Sequence, residues 1–218
     1  MSSSPYSHLS LSIVIPSLNE AENLPGVVED SYNTLKELTN TFDIIVIDDN
    51  STDNSLEVLE QLKQKYPQLS VIENKETIGC HPSSLLGFQA AKGDFRYFIP
   101  ADRQIPPAEI TKFLDCALEG NDVVYSWRVK RADPLHRRLI STFYNLNLRL
   151  FFGIKVHDAD SSSFLSQKAV EEILPMILTD SAFITVDILL QAKRLGLNIG
   201  EVKINHLPRT KGQAKGIN

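Results

Sequence analysis

Cysteine is scarce in this chain, with Cys80 and Cys116 the two examples among 218 residues. Their spacing gives no metal-ligand pattern and no disulfide framework, which favours reduced thiols in a reducing compartment. Long apolar runs are also missing, because no stretch reaches the roughly 18 residues that a membrane span requires. The opening residues MSSSPYSHLS do not have the basic end and apolar stretch of a secretory signal. We therefore expect a cytoplasmic protein whose contact with a membrane is at most peripheral.

An excess of basic residues is absent as well. Lysine and arginine number 22 against 27 aspartate and glutamate residues, which gives a formal net charge of −5. Because nucleic-acid binding requires a basic surface that neutralises phosphates, this balance excludes a general nucleic-acid binder. Hydrophobic residues make up 42% and charged residues 22% of the chain, as is ordinary for a globular protein. With no internal repeat and no long low-complexity linker, residues 1–218 are expected to form one domain.

Short apolar runs alternate with amphipathic segments through the first half of the chain. The strands predicted from the apolar runs span 11–17, 42–49, 69–74, 94–100 and 122–128. The helices predicted between them span 23–38, 53–66, 83–91 and 106–120. Three more helices, at 135–153, 168–178 and 183–195, precede a last strand at 198–205 and a basic tail at 206–218. This alternation predicts an α/β fold, with a mostly parallel sheet covered by helices on both faces.

Polar and charged residues follow four of the predicted strands, at 16–20, 48–53, 100–104 and 127–131. Ligands of such sheets bind beyond the carboxyl ends of the strands, so a site is expected there. Asp48 and Asp49 are the most informative pair, because adjacent acids at a buried strand end repel each other. Donors from a ligand, such as a base imide and a ribose hydroxyl, would offset that cost. Ser51 and Asp53 are explained more simply by a turn and a helix cap.

Two successive stretches, LSIVIPSLNEAENLPGVV and FDIIVIDDNSTDNSLEVLEQL, resemble the opening of the large family-two inverting glycosyltransferases with the GT-A fold. Within that family the chain is most similar to the polyprenyl (dolichol) phosphate sugar synthases. The likeness continues through IGCHPSSLLGFQAAKGDF, PADRQIPPAEI, DVVYSWR and GEVKINHLPRTKGQAKG, and so spans nearly the whole chain. It implies a Rossmann-like GT-A sheet, with a nucleotide-sugar-binding half over 8–130 and a helical acceptor-side half over 131–218.

The resemblance also implies roles for individual positions. The nucleotide-binding positions are Pro16, Leu18, Glu20, Asp48 and Asp49. The positions of basic residues that meet phosphates are Arg128, Arg209 and Lys215. Asp102 and Gln104 match the surroundings of a divalent cation, Mg²⁺ or Mn²⁺, which makes Asp102 both a metal-binding and a catalytic candidate. Asp187 is at about the position of a general base, which a hydroxyl acceptor would need.

The stretch FIPADRQIPP departs from the family at its Asp-x-Asp motif. Pro100 stands where the first acid is expected, and only Asp102 is left. A cation that bridges the oxygens of a nucleoside diphosphate stabilises its departure, so one acid predicts a weakened cation site completed by donor phosphates and water. The implied reaction moves a sugar, with inversion, from a UDP- or GDP-linked donor to an acceptor. A polyprenyl phosphate is favoured, because the basic tail suits an anion and a phosphate nucleophile needs no strong base.

Other functions stay open on the sequence alone. A saccharide hydroxyl could be the acceptor with Asp187 as its base, although Asp187 could equally be a helix-surface acid. The loss of the first motif acid also fits a degenerate protein that binds nucleotide sugars without catalysis. A sugar nucleotidyltransferase is less consistent with the sequence, because the first strand lacks the glycine-rich basic phosphate loop that such enzymes need.

Simple structural interpretations also compete with the functional ones. Arg128 could be an ordinary solvated charge, and Arg209 could belong to a disordered basic tail. The apolar stripe through Phe143 and Leu150 is better explained as core than as a cofactor-binding surface. Its continuation into Phe151 and the next phenylalanine alternatively indicates a face that meets lipid.

Overall fold

A computed structural model describes residues 4–129, 135–181, 183–209 and 211, and only the backbone of residues 135–140. The strands are β1 (Ser10–Ser17), β2 (Thr41–Asp48), β3 (Leu69–Glu73), β4 (Phe95–Phe98), β5 (Val123–Arg128), β6 (Ser163–Ser166) and β7 (Ile199–Ile204). The helices are α1 (Leu24–Leu38), α2 (Ser55–Lys65), α3 (Cys80–Ala90), α4 (Ile110–Leu118), α5 (Leu135–Phe152), α6 (Gln167–Ile173) and α7 (Ile184–Leu195). Short 3-10 turns span Pro107–Glu109 and Leu174–Met176.

Within the described ranges the strands form a single seven-stranded sheet in the order β3-β2-β1-β4-β6-β5-β7. β1 pairs in parallel with β2 and β4, β2 pairs in parallel with β3, and β5 pairs in parallel with β7. The register places Ser17 beside Asp48, so the carboxyl ends of β1 and β2 lie at the same edge. The predicted α/β fold with a mostly parallel sheet is confirmed.

β6 is the element that the sequence did not predict. It lies between β4 and β5 and is antiparallel to both, which makes the sheet mixed. Its four residues SFLS follow two further serines, so the segment shows neither an alternating nor a continuous apolar pattern. Phe164 and Leu165 are nevertheless fully buried, one in the core on each face of the sheet. Because β6 and β7 belong to the second half of the chain, both halves share one sheet.

Two hydrophobic cores lie on opposite faces of the sheet, and the strands contribute alternate side chains to each. Leu11, Ile13 and Ile15 of β1 pack with α1, α2 and α4, whereas Val14 packs with α3, α6 and α7. All four side chains are inaccessible to solvent. β1 therefore reads as a continuous apolar run because it is covered on both faces.

The prediction that the apolar stripe through Phe143 and Leu150 of α5 is core is wrong. Phe143 and Leu150 are 70% and 69% exposed, whereas Leu148 on the opposite side of the helix is 6% exposed and belongs to the core. Leucines and phenylalanines occur on both sides of this helix, so the periodicity did not distinguish the inward face. Among the helices of the described ranges, none combines the length and apolar character needed to cross a membrane.

Candidate active site

A cavity of about 520 Å³ opens beyond the carboxyl ends of β1, β2, β4 and β5. This is the edge at which the sequence predicted a site. The predicted residues that line it are Pro16, Leu18, Glu20, Asp49, Asp102, Gln104, Arg128 and Arg209. The structure thus brings together nucleotide, metal and phosphate candidates that are spread over most of the chain.

Asp49 forms one wall of the cavity and is held by four donors of the protein itself. Its Oδ1 accepts hydrogen bonds from Asn74 Nδ2 at 2.9 Å, from the Ile78 amide at 2.9 Å and from Ser83 Oγ at 3.1 Å. Its Oδ2 accepts from the Gly79 amide at 2.8 Å. The carboxylate therefore fixes the loop after β3 and the beginning of α3 against the end of β2.

Asp48 is buried and does not line the cavity. Its Oδ2 accepts a hydrogen bond from the Ser51 amide at 2.9 Å, and its Oδ1 has no hydrogen-bond partner among the described residues. The structure thus does not bring Asp48 to the cavity wall, because side chains of successive strand residues point to opposite sides. Its predicted contact with the nucleotide stays a prediction. Ser51 and Asp53 have the predicted turn roles, since the Asp53 carboxylate accepts from the amide and the hydroxyl of Ser55.

The loop after β1 is tied to the loop after β2 by short hydrogen bonds. Asn19 adopts a left-handed φ of 51°, which asparagine tolerates better than most residues. Its Oδ1 accepts from the Thr52 amide at 2.6 Å, and its own amide donates to Ser51 Oγ at 2.8 Å. The Glu20 amide donates to Ser55 Oγ at 3.1 Å. These contacts hold Leu18 and Glu20 at the rim of the cavity.

Asp102, the remaining acid of the FIPADRQIPP stretch, faces the cavity from the loop after β4. Its Oδ1 accepts a hydrogen bond from the Gln104 amide at 3.0 Å, and its Oδ2 lies 3.7 Å from Arg209 Nη1. Burial raises the pKa of this carboxyl, opposed by the Gln104 hydrogen bond and by the nearby charge of Arg209. The intervening Arg103 does not line the cavity. Its backbone has a left-handed φ of 61°, and its guanidinium donates to Asp30 at 2.7 Å.

Arg209 belongs to a folded segment rather than to a disordered tail. Its Nη2 forms an ion pair with Glu20, and its Nε donates to the Lys211 carbonyl at 2.8 Å. The segment is anchored at Gln104, whose carbonyl accepts from the Leu207 amide at 2.8 Å and whose side chain donates to the Leu207 carbonyl at 3.2 Å. Arg209 therefore sits between the acids predicted to bind ribose and cation.

Arg128 is likewise not an ordinary solvated charge. Its Nε and Nη2 donate to the two carboxylate oxygens of Asp158 at 2.7 and 3.0 Å, and its Nη2 also donates to the Asp160 carbonyl at 3.0 Å. The Asp158 side chain is 1% exposed. This bidentate pair fixes the arginine at the end of β5, on the side of the cavity opposite to β2 in strand order.

A second predicted residue of the described ranges, Asp187, is also away from the cavity wall. Its Oδ2 accepts a hydrogen bond from the Leu178 amide and its Oδ1 accepts one from Gln191 Nε2, each at 3.1 Å. That placement argues against the predicted role of Asp187 as a general base. Lys215 lies outside the described residues, and its predicted contact with phosphate stays a prediction.

Sequence reasoning missed several residues of the cavity wall. His206 follows β7, so the rule that ligands bind beyond strand ends would have identified it. His81 and Asp160 face the cavity as a pair, with 3.1 Å between Nε2 and Oδ1. No local signal indicated that pair, because its members are 79 positions apart and β6 was not predicted.

Comparisons with known proteins agree on the kind of protein this is. A family model described as glycosyl transferase family 2 matches residues 12–174. The undecaprenyl-phosphate 4-deoxy-4-formamido-L-arabinose transferase of Pseudomonas aeruginosa strain LESB58 is 30% identical over 213 residues, covering 97% of this chain and 61% of that protein. The protein of the same name from Yersinia enterocolitica is 31% identical, covering 94% of this chain and 62% of that protein. The chain thus spans about three fifths of the length of these relatives.

Solved structures with a similar fold include glucosyl-3-phosphoglycerate synthase from Mycobacterium tuberculosis, in complex with Mn²⁺, uridine diphosphate and glucosyl-3-phosphoglycerate. It superposes with a TM-score of 0.72 at 19% identity, covering 94% of this chain and 74% of that one. TarS from S. aureus superposes with a TM-score of 0.60 at 18% identity, covering 89% of this chain and 58% of that one. At these identities the likeness establishes the fold.

The substitution Asp49→Asn tests whether this carboxylate organises the cavity wall. An amide keeps one acceptor oxygen and turns its NH₂ group towards protein donors, so we expect the free energy of unfolding to fall by about 2–3 kcal/mol. Thermal unfolding should show a drop in Tm of roughly 5–10 °C. Asp30→Asn, which removes an exposed partner of Arg103, is the control and should change Tm little. An unchanged Tm for Asp49→Asn would contradict the structural role.

The substitution Asp102→Asn tests the raised pKa of the Asp102 carboxyl. Because the folded state favours the protonated form, the ionised carboxylate costs stability, and that cost grows as the pH rises from the ordinary pKa of 3.8 through the raised pKa. We expect Asp102→Asn to have a higher Tm than the wild type at pH 7.5 and to lose this advantage near pH 4. A Tm difference that does not depend on pH would contradict the assignment. Asp30→Asn serves as the exposed control.

Proposed function

The chain belongs to glycosyl transferase family 2, and on that premise we propose that it transfers a sugar from a UDP- or GDP-linked donor to a polyprenyl phosphate, with inversion. One observation carries the proposal. A single cavity at the carboxyl edge of the sheet is lined by four acids and two arginines, namely Glu20, Asp49, Asp102, Asp160, Arg128 and Arg209. An enzyme that brings together a nucleoside diphosphate and a second phosphate requires that distribution of charge.

The donor is proposed to lie along the ends of β1, β2 and β4. Pro16, Leu18 and Glu20 would surround the base and the ribose, with Asp49 holding the wall behind them. The hydrogen bonds that join the loops after β1 and β2 support this assignment, because a preorganised pocket loses little entropy when it binds its ligand. The diphosphate would then reach Asp102 and Arg209, which are 3.7 Å apart.

A divalent cation, Mg²⁺ or Mn²⁺, is proposed to accompany the diphosphate. Asp102 and His206 both line the cavity, and Asp102 contributes a carboxylate, the kind of oxygen ligand that such cations prefer. In the part of the chain that the structure describes, no group of three or more His, Cys, Asp and Glu side chains could hold a metal ion. These residues fit a cation shared with phosphate oxygens and water rather than one enclosed by protein ligands. A cation there would neutralise charge on the departing diphosphate.

Gln104 is the less well supported member of this proposed cation site. Its side-chain amide nitrogen donates to the Leu207 carbonyl at 3.2 Å, which commits that group to holding the tail. We propose that Gln104 positions the segment carrying His206 and Arg209, with any contact to the cation secondary to that role. Because Pro100 replaces one motif acid, the cation would be held less tightly. Arg209 would then supply part of the positive charge that the donor phosphates need.

The acceptor phosphate is proposed to bind at Arg128, beside the Asp158–Ser162 segment. Its oxygen would form a bond to the anomeric carbon while the bond from that carbon to the diphosphate oxygen breaks, and the electron pair would leave with the nucleoside diphosphate. Attack from the opposite side inverts the configuration. A phosphate is already an anion and needs no general base, which agrees with the placement of Asp187 outside the cavity wall. This scheme departs at two residues from the donor half (8–130) and acceptor half (131–218) implied by the resemblance, because Arg128 would meet the acceptor and Arg209 the donor.

The experiment that tests the proposal is transfer by the purified protein. UDP- and GDP-sugars are offered with undecaprenyl phosphate in detergent and Mn²⁺, and the glycolipid is detected by mass spectrometry. We expect transfer with at least one donor, and a loss of roughly 10²–10³-fold in kcat for Asp102→Ala, because that change removes charge stabilisation of the leaving group. Asp30→Asn is the matched carboxylate control and should retain activity.

Two outcomes would overturn the proposal in different ways. Donor binding without transfer to any acceptor would support a protein that binds nucleotide sugars without catalysis. Transfer to a saccharide hydroxyl but not to the lipid phosphate would preserve the enzyme and change the acceptor, and His81 with Asp160 would then be the pair to examine as a base.

A further inference from the structure

An exposed apolar surface at the carboxyl end of α5 is not used by the cavity. Leu150, Phe151 and Phe152 are 69%, 76% and 49% exposed, and together they end the helix. The surfaces of soluble proteins rarely expose consecutive large apolar side chains unless those side chains contact a partner. One and two turns earlier, Leu146 and Phe143 extend the apolar face at 49% and 70% exposure.

Cations surround this end of the helix. Arg149 donates to the Lys155 carbonyl at 3.3 Å, and Lys193 of α7 donates to the Phe152 carbonyl at 2.7 Å. Arg149 and Lys155 are close to Phe151 in the chain, Lys193 reaches the end of the helix through its hydrogen bond, and all three residues are exposed. We call Leu150, Phe151 and Phe152 with Arg149, Lys155 and Lys193 the α5 tip.

Basic residues outnumber acids around the tip, although the whole chain carries a net charge of −5. The α5 sequence LHRRLISTFYNLNLRLFF contains no acid. Lys155 and Lys193 also line a groove of about 260 Å³ next to the tip. Glu201 is an acid in that groove, and its carboxylate already accepts from the amide and the Nδ1 of His157.

We propose that the α5 tip docks on an anionic lipid bilayer, with its phenylalanines in the interface and its cations on lipid phosphates. Aromatic and leucine side chains beside lysine and arginine suit the boundary between acyl chains and headgroups. A second copy of the chain is a poorer occupant, because the tip is not self-complementary in charge. A two-fold contact would bring its cations against their own copies.

Docking at the α5 tip would bring the acceptor side of the cavity near the membrane, an inference that rests on the proposed function. Residues 153–162 lead from the end of α5 to Asp160, Ser161 and Ser162 in the cavity wall. Arg128, which is bonded to Asp158 on the same segment, is the proposed acceptor contact. A chain anchored at the α5 tip would therefore hold its acceptor side near the membrane, where the phosphate of a polyprenyl lipid lies.

The test is co-sedimentation of the full chain with vesicles of phosphatidylcholine alone and with about one third phosphatidylglycerol. We expect binding to the anionic vesicles that weakens as salt is raised. The double variant Lys155→Gln, Lys193→Gln should bind roughly 25-fold more weakly, because each basic residue contributes about fivefold. Leu150→Gln with Phe151→Gln should lower binding by roughly tenfold or more. Leu118→Gln, which changes an exposed leucine of α4 at 52% exposure, is the matched control and should bind as the wild type does.

Nucleotide binding by calorimetry and oligomeric state by light scattering complete the experiment. Variants that keep nucleotide affinity but lose vesicle binding support the proposal. Equal binding to both kinds of vesicle, or no loss in the tip variants, overturns it. A dimer that dissociates when Leu150 and Phe151 are replaced, with vesicle binding unaffected, assigns the surface to a second copy instead. None of these results depends on catalysis, so failure here and failure of sugar transfer are distinguishable.

Discussion

The carboxylate of Asp49 is the point on which the cavity depends. Two adjacent acids end a buried strand, and the protein stabilises the second by directing four donors to it from the loop after β3 and from α3. Those donors are two backbone amides and two side chains at separate positions, so satisfying one buried charge also fixes the shape of one wall. Because a buried carboxylate is unfavourable without hydrogen-bond donors, the need to supply them orders the segments that form this wall.

The remaining charges of the cavity follow the same logic of mutual compensation. Glu20 and Asp102 approach each other at the ends of β1 and β4, and Arg209 lies between them. Asp158 is buried and is matched by the two donors of Arg128. Each arginine is therefore already oriented towards the cavity by an acid. When a phosphate enters, it meets guanidinium groups whose orientation has been fixed in advance, which is the arrangement that favours binding and transfer of anionic groups.

The sequence predicted most of the fold, because buried parallel strands leave a strong apolar signal and their carboxyl ends identify the ligand edge. It failed where that signal was weak or ambiguous. β6 has four residues after a run of serines, so its strand conformation depends on pairing with β4 and β5 and on the burial of Phe164 and Leu165. α5 has apolar residues on both sides, and periodicity could not tell which side faces solvent. Within the site, the strand ends indicated where Asp102, Arg128 and Arg209 would lie, since Arg128 ends a strand and the other two follow one. The sequence could not show that Asp48 points away from the cavity or that Asp187 is engaged by Leu178 and Gln191, because those facts depend on side-chain direction and on contacts across loops.

The central claim is that the cavity is a nucleoside-diphosphate site in which Arg209 faces the phosphates. Calorimetric titration of UDP and GDP, with and without Mn²⁺, into the wild type and Arg209→Gln tests it most directly. The account predicts saturable binding of at least one nucleotide, strengthened by Mn²⁺, and an affinity roughly tenfold or more lower in Arg209→Gln because a charge-assisted contact is lost. Absence of binding by the wild type, or equal affinity in the two proteins, would contradict it.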